Sequence, residues 1–226
     1  MNRGQINIFY VKTSGLLLPD LNFLDTGELE VYHRYKVEFK KVEFLVGRAL
    51  AKAVIAKCLG KSPETIHFRK NPYGKLYIND QPGCKKGHSL QFNIAHSQNM
   101  VVCAVTLEDE IGVDVEKVEG PIVDIVNRFF AAGEKVYLSQ HPSEKQNKIA
   151  YQLWTLKEAF VKAKGVGLSL SLDSFDVTLL RQDTFLKCFE PKPDYSLAIA
   201  VAGRSGIDFQ TKVIEVKNLS ELDAIG

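Results

Sequence analysis

Six residues constrain this chain more than any others: Ile111-Gly112-Val113-Asp114-Val115-Glu116. The alternation reads as a strand. Val113 and Val115 share one face and Asp114 and Glu116 share the other, because strand side chains repeat every two residues. Neighbouring carboxylates on a half-apolar strand repel each other and resist burial. Either the second face is solvated, or a divalent cation sits at the carboxylates, whose hard oxygens suit Mg²⁺.

The rest of the chain mixes helices and strands. Gln5 to Val11, Ile66 to Phe68, Leu76 to Ile78, Leu90 to Ile94 and Met100 to Leu107 are expected strands. Leu168 to Leu172, Ser174 to Leu180, Tyr195 to Ala202 and Lys212 to Val216 follow in the second half. Glu28 to Leu59 is the longest helical run, with Leu59-Gly60 as its stop. Pro121 to Phe130 and Ala132 to Leu138 are shorter helices. His141-Pro142-Ser143 breaks the second, and Glu144 to Lys148 reads as a charged, mobile link before the strong helix Ala150 to Lys164. Each half therefore holds a strong helix, a glycine stop and then strands. The layout predicts an α+β fold of two similar halves in one chain, 1–117 and 118–226, with a functional cleft between them.

Several features place chemistry on that scaffold. In the helix from Ala150, Leu153, Leu156, Phe160 and Ala163 form one apolar face. Trp154, Glu158 and Lys162 lie together at i, i+4 and i+8, away from it. A Glu–Lys pair is ordinary on a wet helix. A Trp beside it is costly to leave in water, so this flank is expected to face a cleft or a neighbouring segment. The turn Asn71-Pro72-Tyr73-Gly74-Lys75 brings backbone N–H groups and Lys75 up to an anion, or serves as a plain hairpin. His96, at a strand end in Ala95-His96-Ser97, is placed for a ligand or is an ordinary exposed side chain. Arg34, Lys36, Lys40, Lys41, Arg48 and Lys52 form either a solvated face diluted by Glu38 and Glu43, or a surface for phosphates.

Composition excludes other classes. The 226 residues carry a net charge of only +2, which gives no electrostatic argument for nucleic acid as partner. The apolar run Leu16-Leu17-Leu18 stops at Pro19, too short for a signal peptide, and no apolar stretch approaches the roughly 20 residues that span a bilayer. No membrane association is expected. Cys58, Cys84, Cys103 and Cys188 form no Cys-x-x-Cys pair, which argues against zinc and for the cytoplasm. Neither a Gly-x-Gly-x-x-Gly nor a Walker-type loop is present.

Three stretches then stand together: Phe92-Asn93-Ile94-Ala95-His96-Ser97, the carboxylate strand, and Trp154-Thr155-Leu156-Lys157-Glu158-Ala159-Phe160-Val161-Lys162 with Gly165 and Gly167 after it. In this order, and with the Tyr73-Gly74-Lys75 turn, the chain resembles the 4′-phosphopantetheinyl transferases of the surfactin-type (Sfp-type) branch, from about Arg34 to Val201. The resemblance implies transfer of the phosphopantetheine arm of coenzyme A to a serine of an acyl or peptidyl carrier protein, with release of 3′,5′-ADP. It implies a pseudo-twofold duplicated fold with coenzyme A and Mg²⁺ in the central cleft. Asp114, Glu116 and Glu158 match the family's metal ligands. Tyr73, Gly74, Lys75, Ile94, Ala95, His96, Asp114, Glu158 and Lys162 match its coenzyme A site, with Arg48 among the N-terminal basic residues for the 3′-phosphate. Ala95 departs from the family's usual Ser, removing one hydroxyl contact to phosphate.

On this reading Glu158, Lys162 and His96 carry the chemistry as base, leaving-group neutraliser and phosphate donor. The segments 121–130 and 129–138 are the expected carrier-docking surface, and two halves in one chain suggest a monomer. A Mg²⁺-dependent phosphodiester hydrolase uses similar residues with water as nucleophile. A non-catalytic coenzyme A- or carrier-binding module would have no need of the third carboxylate, Glu158.

Overall fold

A computed structural model describes residues 1–79, 89–180, 184–202 and 209–220. In chain order the elements begin with β1 (Gln5–Lys12), α1 (Thr26–Arg34), α2 (Glu38–Leu59), β2 (Phe68–Lys70) and β3 (Leu76–Ile78). Then come β4 (Leu90–Ser97), β5 (Met100–Leu107), β6 (Ile111–Lys117), α3 (Val123–Phe129), α4 (Ala132–Ser139) and α5 (Ser143–Lys164). The chain closes with β7 (Thr184–Phe189), β8 (Tyr195–Ala202) and β9 (Gln210–Glu215). This is the mixed α+β architecture that the pattern predicts. Cys84 lies outside the described residues.

Two sheets form the centre. The first has strand order β4-β5-β1-β9, with β9 parallel to β1 and the other pairs antiparallel. The second is β6-β8-β7, all antiparallel, and β2 and β3 make a separate hairpin. β5 reads as a continuous apolar run because both its faces are covered. Val101, Cys103 and Val105 pack with Val46, Leu50 and Val54 of α2. Met100, Val102 and Ala104 share a second core with Ile111, Val113 and Val115 of β6 and Leu197, Ile199 and Val201 of β8. The molecule is therefore layered: α2, first sheet, second sheet, α5.

The last layer is thin. Ala159 and Ala163 of α5 meet Ala198 and Ala200 of β8. Gly112 of β6 meets the helix backbone itself. A Cβ there would lie 2.0 Å from the Ala159 carbonyl oxygen and 2.3 Å from the Ala163 nitrogen. Only glycine permits so close an approach.

Several local expectations are corrected. The helical run from Glu28 is two helices, broken at the extended residues Tyr35 and Val37. An Asp25–Glu28 capping box starts the first of them, and the Tyr35 ring packs on Phe44 across the break. The segment Glu144–Lys148 is the first turn of α5, not a mobile link, because Pro142 precedes the helix and Gln146 already donates its backbone N–H to the Pro142 carbonyl. Segments 168–172 and 174–180 form no strands. They carry 3₁₀ turns at Gly167–Ser169 and Leu172–Ser174, and Phe175 and Val177 pack into the apolar clusters between α5 and the second sheet without pairing as strands. The boundary expected after residue 117 separates β6 from β8, its hydrogen-bonded partner, while β9 returns to the edge of the first sheet. No helix among the described residues is long and apolar enough to cross a membrane.

One buried ion pair ties α4, α5 and the 175–177 segment together. The Lys157 Nζ donates to both Glu134 carboxylate oxygens at 2.7 Å and to the Phe175 carbonyl at 2.8 Å. Glu134 also accepts the backbone N–H groups of Ala131 and Val177. Both side chains are fully buried. Removing one partner strands the other charge, so Glu134→Ala is expected to lower the unfolding free energy by about 3–5 kcal/mol in a urea titration.

Candidate active site

The closeness of α5 to β6 decides what stands where. Asp114 is two residues past Gly112, so its side chain points to the α5 side of the sheet. There Lys162 Nζ donates to Asp114 Oδ1 at 2.6 Å. The other oxygen, Oδ2, is buried and has no hydrogen-bond partner. Glu116, two residues further on, accepts from the Ser97 hydroxyl at 2.8 Å.

Charge is out of balance here. Burial raises the Asp114 pKa to about 6 against the pull of Lys162. Burial and then the Asp114 charge raise Glu116, against hydrogen bonds from Ser97 and Trp154. Glu158 is raised by burial and by Glu116, with Lys162 opposing. Burial alone would lower Lys162, yet Asp114, Glu158 and Glu116 hold its pKa above the usual value. Three carboxylates thus share one ammonium.

Among the described residues no three His, Cys, Asp or Glu side chains are gathered as a ready-made metal cage. The donor set still fits a hard cation. Its oxygens are carboxylate, its net charge is negative, and Asp114 Oδ2 lacks the partner that buried polar atoms normally have.

A cleft of ≈ 460 Å³ opens beside these residues. One wall comes from α2 and β4, with Glu43, Arg48, Ile94 and His96. The other comes from α5, with Glu158, Lys162 and the Gly165 that follows. The Tyr73-Gly74-Lys75 turn closes one end. Asn71 holds that turn in place. Its side-chain oxygen accepts the backbone N–H groups of Tyr73 and Lys75 at 2.9 Å each, and its Nδ2 donates to the Gly165 carbonyl at 2.7 Å. Gly165 has φ +65°, the left-handed conformation that ends α5 and lets the turn approach.

The expected site residues divide by this geometry. Tyr73, Gly74, Lys75, Ile94, His96, Glu158, Lys162 and Arg48 all line the cleft. Lys75 is already engaged: its ammonium donates to the Ala163 carbonyl at 2.9 Å and pairs with Glu110. Arg48 lies with Nε 2.9 Å from Glu28 Oε1 and stacks over the Phe44 ring, and burial lowers its pKa. Asp114 and Glu116 stand behind the cleft lining, reached through Lys162 and Ser97. Ala95 does not line the cleft. It is the odd-face neighbour of Ile94 and His96, and its side chain is buried in the core between the two sheets.

Two family models match the chain in tandem: "4′-phosphopantetheinyl transferase, N-terminal" over residues 17–108 and "4′-phosphopantetheinyl transferase superfamily" over residues 110–203. A 4′-phosphopantetheinyl transferase from Bacillus subtilis is 35% identical over 190 residues, 79% of this chain and 80% of the relative. The chain belongs to the 4′-phosphopantetheinyl transferases. The transferase Sfp of Bacillus subtilis (strain 168) is 32% identical over 195 residues, covering 80% of this chain and 84% of its own. A putative 4′-phosphopantetheinyl transferase from Synechocystis is 34% identical over 172 residues, 75% of this chain and 68% of the relative.

Within this member of the family, sequence reasoning missed four residues that build the site. Asn71 fixes the turn, and Asn93 Oδ1 accepts the Val113 N–H at 2.9 Å, joining β4 to β6. Ser97 orients Glu116, and Glu43 stands beside His96. Asn71 had a readable signal, since Asn opening a Pro-Tyr-Gly turn is typical of an Asx turn. The others join elements apart in sequence, β4 to β6 for Asn93 and Ser97 and α2 to β4 for Glu43.

Gly112 is the test of this construction. Gly112→Ala is expected to push α5 away from β6, lowering stability by about 1–3 kcal/mol in a urea titration. Turnover should fall by more than the folded fraction accounts for, because Glu158 and Lys162 move with the helix.

Proposed function

We propose that this protein transfers the 4′-phosphopantetheine arm of coenzyme A to a serine of an acyl or peptidyl carrier protein and releases 3′,5′-ADP. The observation that carries the reading is the cleft. It gathers Glu158, Lys162, His96 and the 73–75 turn from separate parts of a chain whose relatives are named for this reaction.

The bond broken is a pyrophosphate P–O bond, so catalysis rests on positioning and on charge neutralisation. Asp114, Glu116 and Glu158 are the proposed Mg²⁺ ligands. Bound there, the ion supplies Lewis-acid stabilisation of charge on the phosphate oxygens. Lys162 leaves its pairing with Asp114 to meet the charge that grows on the departing 3′,5′-ADP. His96 donates to a phosphate oxygen from the opposite wall, and Arg48 offers a cation for the 3′-phosphate. Tyr73, Gly74 and Lys75 close over the substrate. Ile94 gives it an apolar wall, and any contact at Ala95 falls to the backbone. The carrier serine needs a base at neutral pH. Glu158, directly or through a bound water, takes that proton. The carrier is proposed to dock on α3 and α4, where Val123, Val136 and Tyr137 are exposed.

Related halves are supported by the two 22-residue helices α2 and α5, each ending on a left-handed glycine, Gly60 and Gly165. Both walls of the cleft come from one chain, which favours a working monomer. A cytoplasmic setting suits both substrates.

The deciding experiment is the intact mass of an apo carrier protein after incubation with this protein, coenzyme A and Mg²⁺, with an EDTA control. One added phosphopantetheine group, lost with EDTA, is the expected outcome. Coenzyme A cleaved without carrier modification would turn the reading to a hydrolase. Asp114→Ala is expected to abolish the metal-dependent gain, and Glu158→Gln to lower turnover steeply; a Gln variant with full turnover would remove Glu158 as base.

The pH dependence follows from Asp114. Its folded-state pKa is raised to about 6, so it binds a proton as pH falls through that value. A cation must then displace the proton. Transfer at limiting Mg²⁺ is expected to decline from pH 7 to pH 5, and excess Mg²⁺ to restore part of it, as measured by initial rates.

A further inference from the structure

Glu43 is a carboxylate that the proposed reaction does not use. It sits on α2, lines the cleft, and its side chain is only 1% exposed. Its Oε2 lies 3.2 Å from His96 Nδ1 and accepts from Lys40 Nζ at 2.8 Å. Its Oε1 is buried without a hydrogen-bond partner. An unpaired buried carboxylate oxygen weakens a fold, and a neutral side chain would pack here at less cost. Stability therefore does not explain the residue. Its placement against His96 does.

We infer that Glu43 is a positioning residue for His96: it fixes the proton on Nδ1, turns Nε2 into the cleft, and holds the ring as an imidazolium when a phosphate of coenzyme A arrives there. The inference rests on the proposed reaction and names what controls one of its binding residues. A neutral imidazole has a single N–H. With that N–H on Nδ1, Nε2 is an acceptor and repels a phosphate oxygen. Only the doubly protonated ring donates to Glu43 and to phosphate together. Coenzyme A binding then draws one proton from solvent onto Nε2, and no other bond changes.

The charged groups that face His96 are Glu43 and Lys40 from α2 and Lys162 from α5. Burial, Lys40 and Lys162 drive the proton off the ring, and Glu43 alone among these charges favours it. Removing that charge moves the His96 titration to lower pH. A glutamine at position 43 keeps an acceptor for the Nδ1 proton and loses only the charge.

Two measurements test this. The first is ring NMR of His96 in the free protein across pH. The neutral form is expected as the Nδ1–H tautomer, with a titration that shifts to lower pH in Glu43→Gln. A neutral Nε2–H tautomer, or an unchanged titration in the variant, overturns the inference whether or not the protein is a transferase. The second is coenzyme A affinity by calorimetry from pH 5.5 to 8.5 in wild type, Glu43→Gln, His96→Ala and the double variant. Affinity is expected to weaken as pH rises through the His96 titration, and to do so earlier in Glu43→Gln. That variant should bind about tenfold more weakly near neutrality, the effect of one pH unit. Its thermal midpoint should equal or exceed the wild-type value. In the His96→Ala background the Glu43 substitution should add nothing; an equal loss there would make Glu43 a merely structural residue. If the NMR result holds while no carrier protein is modified, the reaction falls and the Glu43–His96 pairing stands.

Discussion

The site depends on one contact between backbones. Helix α5 lies on strand β6 at Gly112, where the space for a Cβ is already filled by the helix. That contact sets the distance between Lys162 and Asp114, and with it the charge balance of the whole cluster. Small residues continue the seam, with Ala159 and Ala163 on the helix and Ala198 and Ala200 on β8. Larger side chains along this line would hold the helix off, and Glu158 and Lys162 would no longer reach the carboxylates of the strand.

The charges held there are not arranged for stability. Asp114 is buried with one oxygen unpaired, and its pKa is driven up toward 6. Elsewhere the protein handles buried charge differently. Lys157 and Glu134 satisfy each other and nearby backbone groups. Satisfied networks lock elements together, whereas unsatisfied ones leave capacity for something to bind. The contrast separates the scaffold from the site within a single chain.

Most of the fold class and much of the site were legible in the sequence. The alternation in 111–116 announced a strand with two carboxylates on one face, and β6 has that form. The spacing of Trp154, Glu158 and Lys162 announced a helix flank turned to a cleft or a neighbouring segment; Glu158 and Lys162 line the cleft, and Trp154 packs on Phe129 of α3. What misled was local chemistry overridden by packing. Residues 35–37 hold no Pro or Gly, so nothing in the run marked the break between α1 and α2. Pro142 does part α4 from α5, but the charged residues Glu144 to Lys148 after it, which read as a mobile link, are already the first turn of α5. The apolar residues of 170–180 suggest strands, but they pack as 3₁₀ turns and loop against α5 and the face of β7 and β8 rather than pairing into a sheet.

By itself the sequence determined which residues share a face, because helical and strand periods are local properties of the chain. It also determined the family, because several short motifs in a fixed order identify it better than any one of them. Only the tertiary structure decided that β6 belongs with β8 and that β9 returns to β1. It alone decided that Ala95 turns into the core while Ile94 and His96 line the cleft. It also decided that Glu43 stands behind His96. These are pairings between segments far apart in sequence, and a strand's period fixes its faces without saying what each face will meet.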